Sequence, residues 1–287
     1  MSENLTQRER KARMRRGLPI EACGLQFYPI KMTDYEEFLE CKNALCIRQT
    51  SLAKANFEYL SMPFLSALWA MEIDTMRQTG KTVGVLERVI RLLYLSLRLG
   101  YDRQKALSGI YCERNDNRKL AYIEVITQDG ETAIRITPTD FSTIIRPLIA
   151  EQNGIKLPDE SENPDIVQAE QQMAQEGERK IKYDLETLIS SVANACNIRE
   201  CEIDDWTVWE FEKRRQAIDR KINYQIYAQA EMSGMVKFNK GNPCPSWCFD
   251  GAETLTSALI TLDEMQEKYR GAGDVKQTIA NGGGYTD

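Results

Sequence analysis

Apolar residues recur at helical spacing along most of this chain, and the longest such run begins at residue 207. Thr207 and Glu210 stand at capping-box spacing, and Gly234 offers the left-handed conformation that stops a helix. Residues 207–234 therefore predict a helix of about seven turns. Phe211, Ile218, Ile222, Ile226 and Ala230 share one broad face of it. Lys213, Arg214, Arg220 and Lys221 lie off that face, whereas Arg215 falls within it and must snorkel its head to water. Beyond the stop, residues 241–250 read GNPCPSWCFD. Pro243 and Pro245 stiffen this loop and favour an extended backbone. Trp247 and Phe249 give it two aromatics, each burying about 150–250 Å² when docked. Such a loop docks either on the helix of its own chain or on a partner.

Further helices are predicted ahead of it. Thr33 and Glu36 form a capping box, followed by a stripe of Tyr35, Phe38, Leu39 and Leu45. Residues 64–77 predict a second helix, opened by Pro63 and ended by Gly80. Residues 83–99 predict a third, whose stripe of Leu86, Val89, Ile90, Leu93 and Leu97 is widened by Leu92 and Leu99 into a core-forming face, with Gly100 as its stop. A short fourth helix is read at 102–112. Residues 120–137 change period: two β-branched runs flank Asp129 and Gly130, a strong hairpin signal. A lone hairpin is marginally stable, so it needs helices to pack on or a third strand, for which residues 22–32 are the candidate. Thr139 then caps a helix to Gln152, bent near Pro147.

The fold class read from this pattern is mainly α, α+β at most: a helical N-terminal domain, a small β-hairpin in the middle and a helical C-terminal part. Residues 1–17 form a flexible basic arm, and residues 18–32 an edge strand or docked segment bracketed by Pro19 and Pro29. The helical domain spans 18–152. Residues 153–165, rich in acids and carrying two prolines, read as a linker. The C-terminal domain spans 166–270. It holds a polar helix at 166–180, an amphipathic one at 182–197 lined by Leu185, Leu188, Ile189 and Val192, and a last one at 252–270 with Leu255, Leu259, Leu262 and Met265 in stripe. Residues 271–287 form a flexible, glycine-rich tail.

Composition narrows the chemistry. The chain has 287 residues, 42% of them hydrophobic and 28% charged, with a net charge of −6. A packed core is expected and a nucleic-acid coat is not. No apolar run reaches the roughly 18 residues of a membrane span, and the N-terminus has no apolar stretch after its charges, so an intracellular soluble protein is expected. There is no histidine, which excludes Ser-His-Asp and Cys-His catalysis and makes most zinc enzymes unlikely. The common nucleotide-binding glycine motifs are missing too. Eight cysteines are expected as buried thiols in a reducing compartment; Cys244 and Cys248 alone approach zinc-ligand spacing.

Each remaining constellation has a plainer reading. Glu202, Asp204 and Asp205 could form an acid-base or metal site, but they also complement the positive end of the long helix. Lys213, Arg214 and Arg215 could grip phosphate, but Glu210, Glu212 and Asp219 interleave with them as a salt-bridged face. Tyr224 and Tyr227 read as packing residues. No catalytic residue, cofactor or metal site is assigned.

Two stretches, residues 18–52 and residues 202–234 with Trp206, Trp209, Glu210 and Phe211 opening the long helix, resemble the tail assembly chaperone-like proteins of tailed bacteriophages and prophages of Gram-positive bacteria. The resemblance implies a non-enzymatic protein of the bacterial host cytoplasm that binds the tape-measure protein and the tail-tube subunit in virion morphogenesis, with a homo-oligomer compatible. Trp206, Trp209, Phe211, Ile218, Ile222, Trp247 and Phe249 are the candidate partner-binding residues. The alternatives are a virion component of neck or baseplate, and a nucleic-acid-binding regulator using the basic arm.

Overall fold

A short polar sequence starts the first helix. In the computed structural model, which describes residues 6–114, 116–126, 133–160, 184–234, 242, 244 and 246–248, Thr6 caps helix α1 (Gln7–Arg15). The Thr6 hydroxyl accepts from the Glu9 amide at 3.3 Å, and the Glu9 carboxylate accepts from the Thr6 amide at 2.8 Å. This reciprocal box orders a segment expected as a flexible arm, and Met14 buries itself in the core. Arg8, Lys11, Arg15 and Arg16 stay exposed.

Strands β1 (Ile20–Ala22) and β2 (Leu25–Phe27) then pair antiparallel. Their two-residue turn holds Cys23 at φ 52° and Gly24 at φ 76°, the primed-turn geometry that matches strand twist. Helix α2 (Tyr35–Leu45) follows a 3-10 turn at Met32–Asp34. That turn displaces the helix start past Thr33, so the capping box read there does not form; Asp34 occupies the cap position with no side-chain bond.

Next come α3 (Gln49–Ala53), α4 (Phe64–Thr79) and α5 (Val85–Ser96). Gly80 closes α4 at φ 69°, as expected. Helix α5 ends before Gly100, because Arg98 takes the left-handed conformation at φ 53° and stacks its guanidinium 4.2 Å from the Tyr28 ring centre. The predicted stripe of α5 is buried: Leu86, Val89, Ile90, Leu92 and Leu93 are at most 3% exposed. Helices α2 and α4 both pack on it.

The fourth helix is shorter than predicted. Helix α6 (Arg103–Ser108), capped by Asp102, gives way at Gly109 to strand β3 (Ile110–Glu113). A Cβ on Gly109 would lie 2.5 Å from the Glu124 carbonyl oxygen, so only glycine lets the two backbones approach. Strand β3 pairs with β4 (Asp116–Ile126), and β4 with β5 (Ala133–Ile136), all antiparallel. The expected hairpin is present with Ile123 opposite Ile136 and Ile126 opposite Ala133; Asp129 and Gly130 lie outside the described residues. Its third strand is β3, not residues 22–32, of which Leu25–Phe27 pair with Ile20–Ala22 and Lys31 bridges to Thr207.

Thr137, rather than Thr139, caps the next helix: its hydroxyl accepts from the Asp140 amide at 3.1 Å, and Pro138 fills the first helical position. Helix α7 (Pro138–Asp140) runs through a π turn at Phe141–Ile145 into α8 (Arg146–Asn153). The wide turn lies just ahead of Pro147, which has no N–H to give and whose ring would press on the carbonyl four residues back. The C-terminal part described comprises α9 (Leu185–Cys196), a 3-10 turn at Glu200–Asp205 and α10 (Val208–Met232). Two compact units emerge, Met1–Arg215 and Gln216–Asp287, with α10 contributing to both. Asn153, read as the first residue of a linker, is instead the 3%-exposed end of α8. The chain is thus mainly α with two small antiparallel sheets among the described residues. None of the described helices is long and apolar enough to cross a membrane.

Arg146 is the buried cation of the first unit. Its guanidinium donates to the Leu45 carbonyl at 2.9 and 3.0 Å and to the Ile47 carbonyl at 3.2 Å, and it lies 3.7 Å from the Phe64 ring centre. Leu45 ends α2, so the cation meets the negative end of that helix dipole. Burial pulls its pKa below the usual arginine value, while the charge of Glu160 acts the other way. Arg146→Met keeps the stem but leaves buried carbonyls unpaired. We expect it to lower unfolding free energy by about 2–4 kcal/mol, read as a drop in the urea midpoint at unchanged slope. An unchanged midpoint would show that the guanidinium contributes nothing net.

Candidate protein-interaction surface

The start of α10 is fixed by hydrogen bonds made before the helix begins. Lys31 and Thr207 form a β-bridge, the Met32 amide donates to the Trp206 carbonyl at 3.0 Å, and the Val208 amide donates to the Ile30 carbonyl at 2.8 Å. Thr207 caps the helix as predicted, its hydroxyl accepting from the Glu210 amide at 3.1 Å. One turn on, Phe211 is fully buried, edge-on to Tyr35 with ring centres 5.7 Å apart. The Tyr35 hydroxyl donates to the Glu212 carboxylate at 2.9 Å. Burial, and then the charge of Glu212, push the Tyr35 phenol well above its ordinary range. Glu212 also pairs with Arg215 at 2.9 Å, so Arg215 reaches a carboxylate from within the apolar face.

This geometry divides the residues singled out for partner binding. Phe211 is a core residue and is not available to a partner, because Tyr35 and the first unit already cover it. Trp206 is half-buried, with the Arg214 guanidinium 4.1 Å from its ring centre, and Trp209 is half-buried beside Gly154. Arg214 pairs with Glu210 at 2.8 Å. The interleaved acids therefore draw Arg214 and Arg215 into ion pairs, and the phosphate-gripping reading loses two of its three cations. Asp205 pairs with Lys31 at 3.4 Å and Glu202 with Arg199 at 3.2 Å. The acidic turn thus serves local ion pairs, and the described residues include no cluster arranged to hold a metal ion.

In the second unit the same helix has another character. Ile218 is half-buried, but Ile222 is 48% exposed, Ile226 56% and Met232 88%. Ile222 and Ile226 stand one turn apart on the face that Phe211 opens. The loop after the helix docks partly on it: the Asn242 side-chain amide donates to the Glu231 carboxylate at 2.8 Å, and the Cys244 sulfur lies 4.0 Å from the Arg220 carbonyl oxygen. Trp247 in this loop is 54% exposed. Phe249 lies outside the described residues. Ile222 and Ile226 belonged to the predicted stripe and Met232 did not; the exposure of the two isoleucines could have been found only by knowing where the covered part of the stripe ends.

Compared with protein-family models, curated proteins and solved structures, the chain matches none.

The division of α10 is measurable. Phe211→Ala is expected to destabilise the fold by about 3–5 kcal/mol, and Ile222→Ala to change it by less than about 0.5 kcal/mol. Equal urea midpoints for the two variants would refute the contrast. The thiols give a second check. Cys41 is fully buried and pushed up to about 11 by burial, whereas Cys201 and Cys248 are exposed. Iodoacetamide at neutral pH should therefore alkylate Cys201 and Cys248 in the native protein, and Cys41 only after unfolding, as read by peptide mass spectrometry.

Proposed function

We propose that this chain is a non-enzymatic factor of phage tail morphogenesis, a tail assembly chaperone that holds the tape-measure protein through the second half of α10. The observation that supports this reading most directly is the apolar stripe of Ile222 and Ile226, about half exposed and continuous along the helix with a residue that is fully buried. A helical face of this kind suits an amphipathic partner helix, which reads it through anchors at spacings of three and four residues. A tape-measure protein is long and helical, so it offers many such faces in succession. Trp247, 54% exposed in the same unit, adds a large aromatic of the type that anchors interfaces. The resemblance in the opening of α10, carried by Trp206, Trp209 and Glu210, supports the same class of partner. The exposed cations of α1 are the feature that a nucleic-acid-binding regulator would use instead.

The test is co-expression of the chain with the long coiled-coil protein encoded nearest to it, followed by size-exclusion chromatography with light scattering. Co-elution is expected, together with a rise in the partner's soluble fraction. The Ile222→Asp and Ile226→Asp double variant, altered only at exposed positions, should fold normally and lose the partner. If the unaltered chain elutes alone while the partner precipitates, the chaperone reading fails for that pair. Salt-sensitive retention of DNA by the purified chain would favour the regulator.

A further inference from the structure

The first unit contains a hollow lined by α4, α5, α6, β3 and the turn ahead of α5. Trp69, Ile73 and Met76 recur along one face of α4, and Leu86 of α5, Leu107 of α6 and Ile110 of β3 complete its apolar lining. Its volume is about 250 Å³. Of these side chains only Leu86 is buried. Trp69, Ile73 and Ile110 are half-buried, Leu107 is 37% exposed and Met76 52%. Apolar residues that converge on one place and stay partly uncovered there offer surface to a guest. Gly84 belongs to the same lining, and a Cβ on it would meet nothing within 4 Å, so bare backbone forms that part of the wall.

The charged groups of the lining are Glu72, Glu87 and Arg103, and each is already engaged. The buried Glu72 carboxylate accepts from the amides of Val83 at 2.8 Å, Val85 at 2.7 Å and Leu86 at 3.4 Å, at the start of α5. Arg103 pairs with Glu87 at 2.9 Å, and the Tyr101 hydroxyl donates to Glu87 at 3.4 Å. A guest with a net charge would shed its hydration here without gaining a partner, so the lining favours a neutral one. The Trp69 indole N–H donates to the Asn117 carbonyl at 2.8 Å, which holds the ring in place.

Size and shape narrow the guest further. Apolar cavities of about 150 Å³ take up benzene, whereas drug-sized ligands occupy roughly 300–1,000 Å³. A volume between these limits suits two fused rings better than a long chain. Two lining residues favour an aromatic guest over an aliphatic one. An indole ring stacks with other π systems, and the methionine thioether makes favourable contacts with ring edges while its flexible stem adapts to what enters.

We infer that this hollow binds a small, uncharged aromatic molecule of one or two fused rings, held between the Trp69 indole and the side chains of Met76 and Leu107. The site lies wholly in the first unit and stands whether or not α10 binds a tape-measure protein. A guest that occupies only the folded state stabilises it, so binding also reads out as resistance to unfolding.

The probe is 5-fluoroindole, neutral at neutral pH, titrated with the full chain and followed by fluorine NMR. Saturable broadening with one site per chain is expected, reversed by excess indole and accompanied by a rise in the urea midpoint. Two charged relatives, 5-fluoroindole-2-carboxylate and 5-fluorotryptamine, should bind at least about tenfold more weakly. Met76→Glu and Leu107→Glu, both at exposed positions, should each weaken the neutral probe by about tenfold or more while circular dichroism stays unchanged. The Ile222→Asp and Ile226→Asp variant should bind the probe like the unaltered chain, which separates this site from the exposed isoleucines of α10. Broadening that never saturates, equal affinity for the charged relatives, or full affinity in both mouth variants overturns the inference.

Discussion

Residues 27–32 carry a backbone that belongs to no sheet beyond Phe27 and yet runs through the core, with Phe27, Ile30 and Met32 at most 5% exposed. Buried amides and carbonyls without partners are costly, so everything around this segment is arranged to supply them. The Tyr28 amide donates to the Ser96 carbonyl at the end of α5 at 2.7 Å. Gln152 donates to the Phe27 carbonyl at 2.9 Å, and Asn153 accepts from the Ile30 amide at 2.9 Å. Residues 206–208 provide the rest from the other side. One extended hexapeptide thus ties the end of α5, the end of α8 and the start of α10 into a single arrangement.

That tie explains why the long helix has two characters. Its first turn is held by the bridge at Thr207 and by the ring of Phe211 against Tyr35, both within the first unit. Beyond Arg215 the same face continues without that cover, and isoleucines that would be core residues a few turns earlier meet solvent. Arg146 plays a comparable part at the other end of α2, where a cation replaces a cap and a π turn makes room for the proline that follows it.

Local signals were legible where chemistry and position coincide. The Thr207 cap, the stop at Gly80, the stripe of α5 and the pairing of β4 with β5 follow from spacing and turn residues alone. Departures arose where long-range contacts decide. Thr33 carries a correct capping pattern, but the bridge of its neighbour Lys31 to Thr207 and the 3-10 turn after it move the helix start. Asn153 sits in an acidic, proline-containing stretch that reads as a linker, and only its bond to Ile30 reveals it as a core residue. Thr6 and Glu9 stand at capping-box spacing, a signal that the reading of residues 1–17 as a flexible basic arm left unused. For the surface residues, periodicity identified the face of α10 but not the point along it where burial ends; that is why Phe211 and Ile222, equivalent in the sequence, differ in the fold.

The central tie also fixes an order in time. Ile30 meets Asn153 across 123 positions, and Tyr35 meets Glu212 across 177. At a synthesis rate of roughly 5–20 residues per second, the N-terminal partner of the latter pair waits about 10 to 35 s for the other. A nascent chain halted before Val208 leaves the Ile30 carbonyl and its apolar neighbours uncovered, an open strand edge able to pair with another copy. Fidelity in making this protein therefore depends on shielding the apolar segment around Ile30 until the opening of α10 leaves the ribosome.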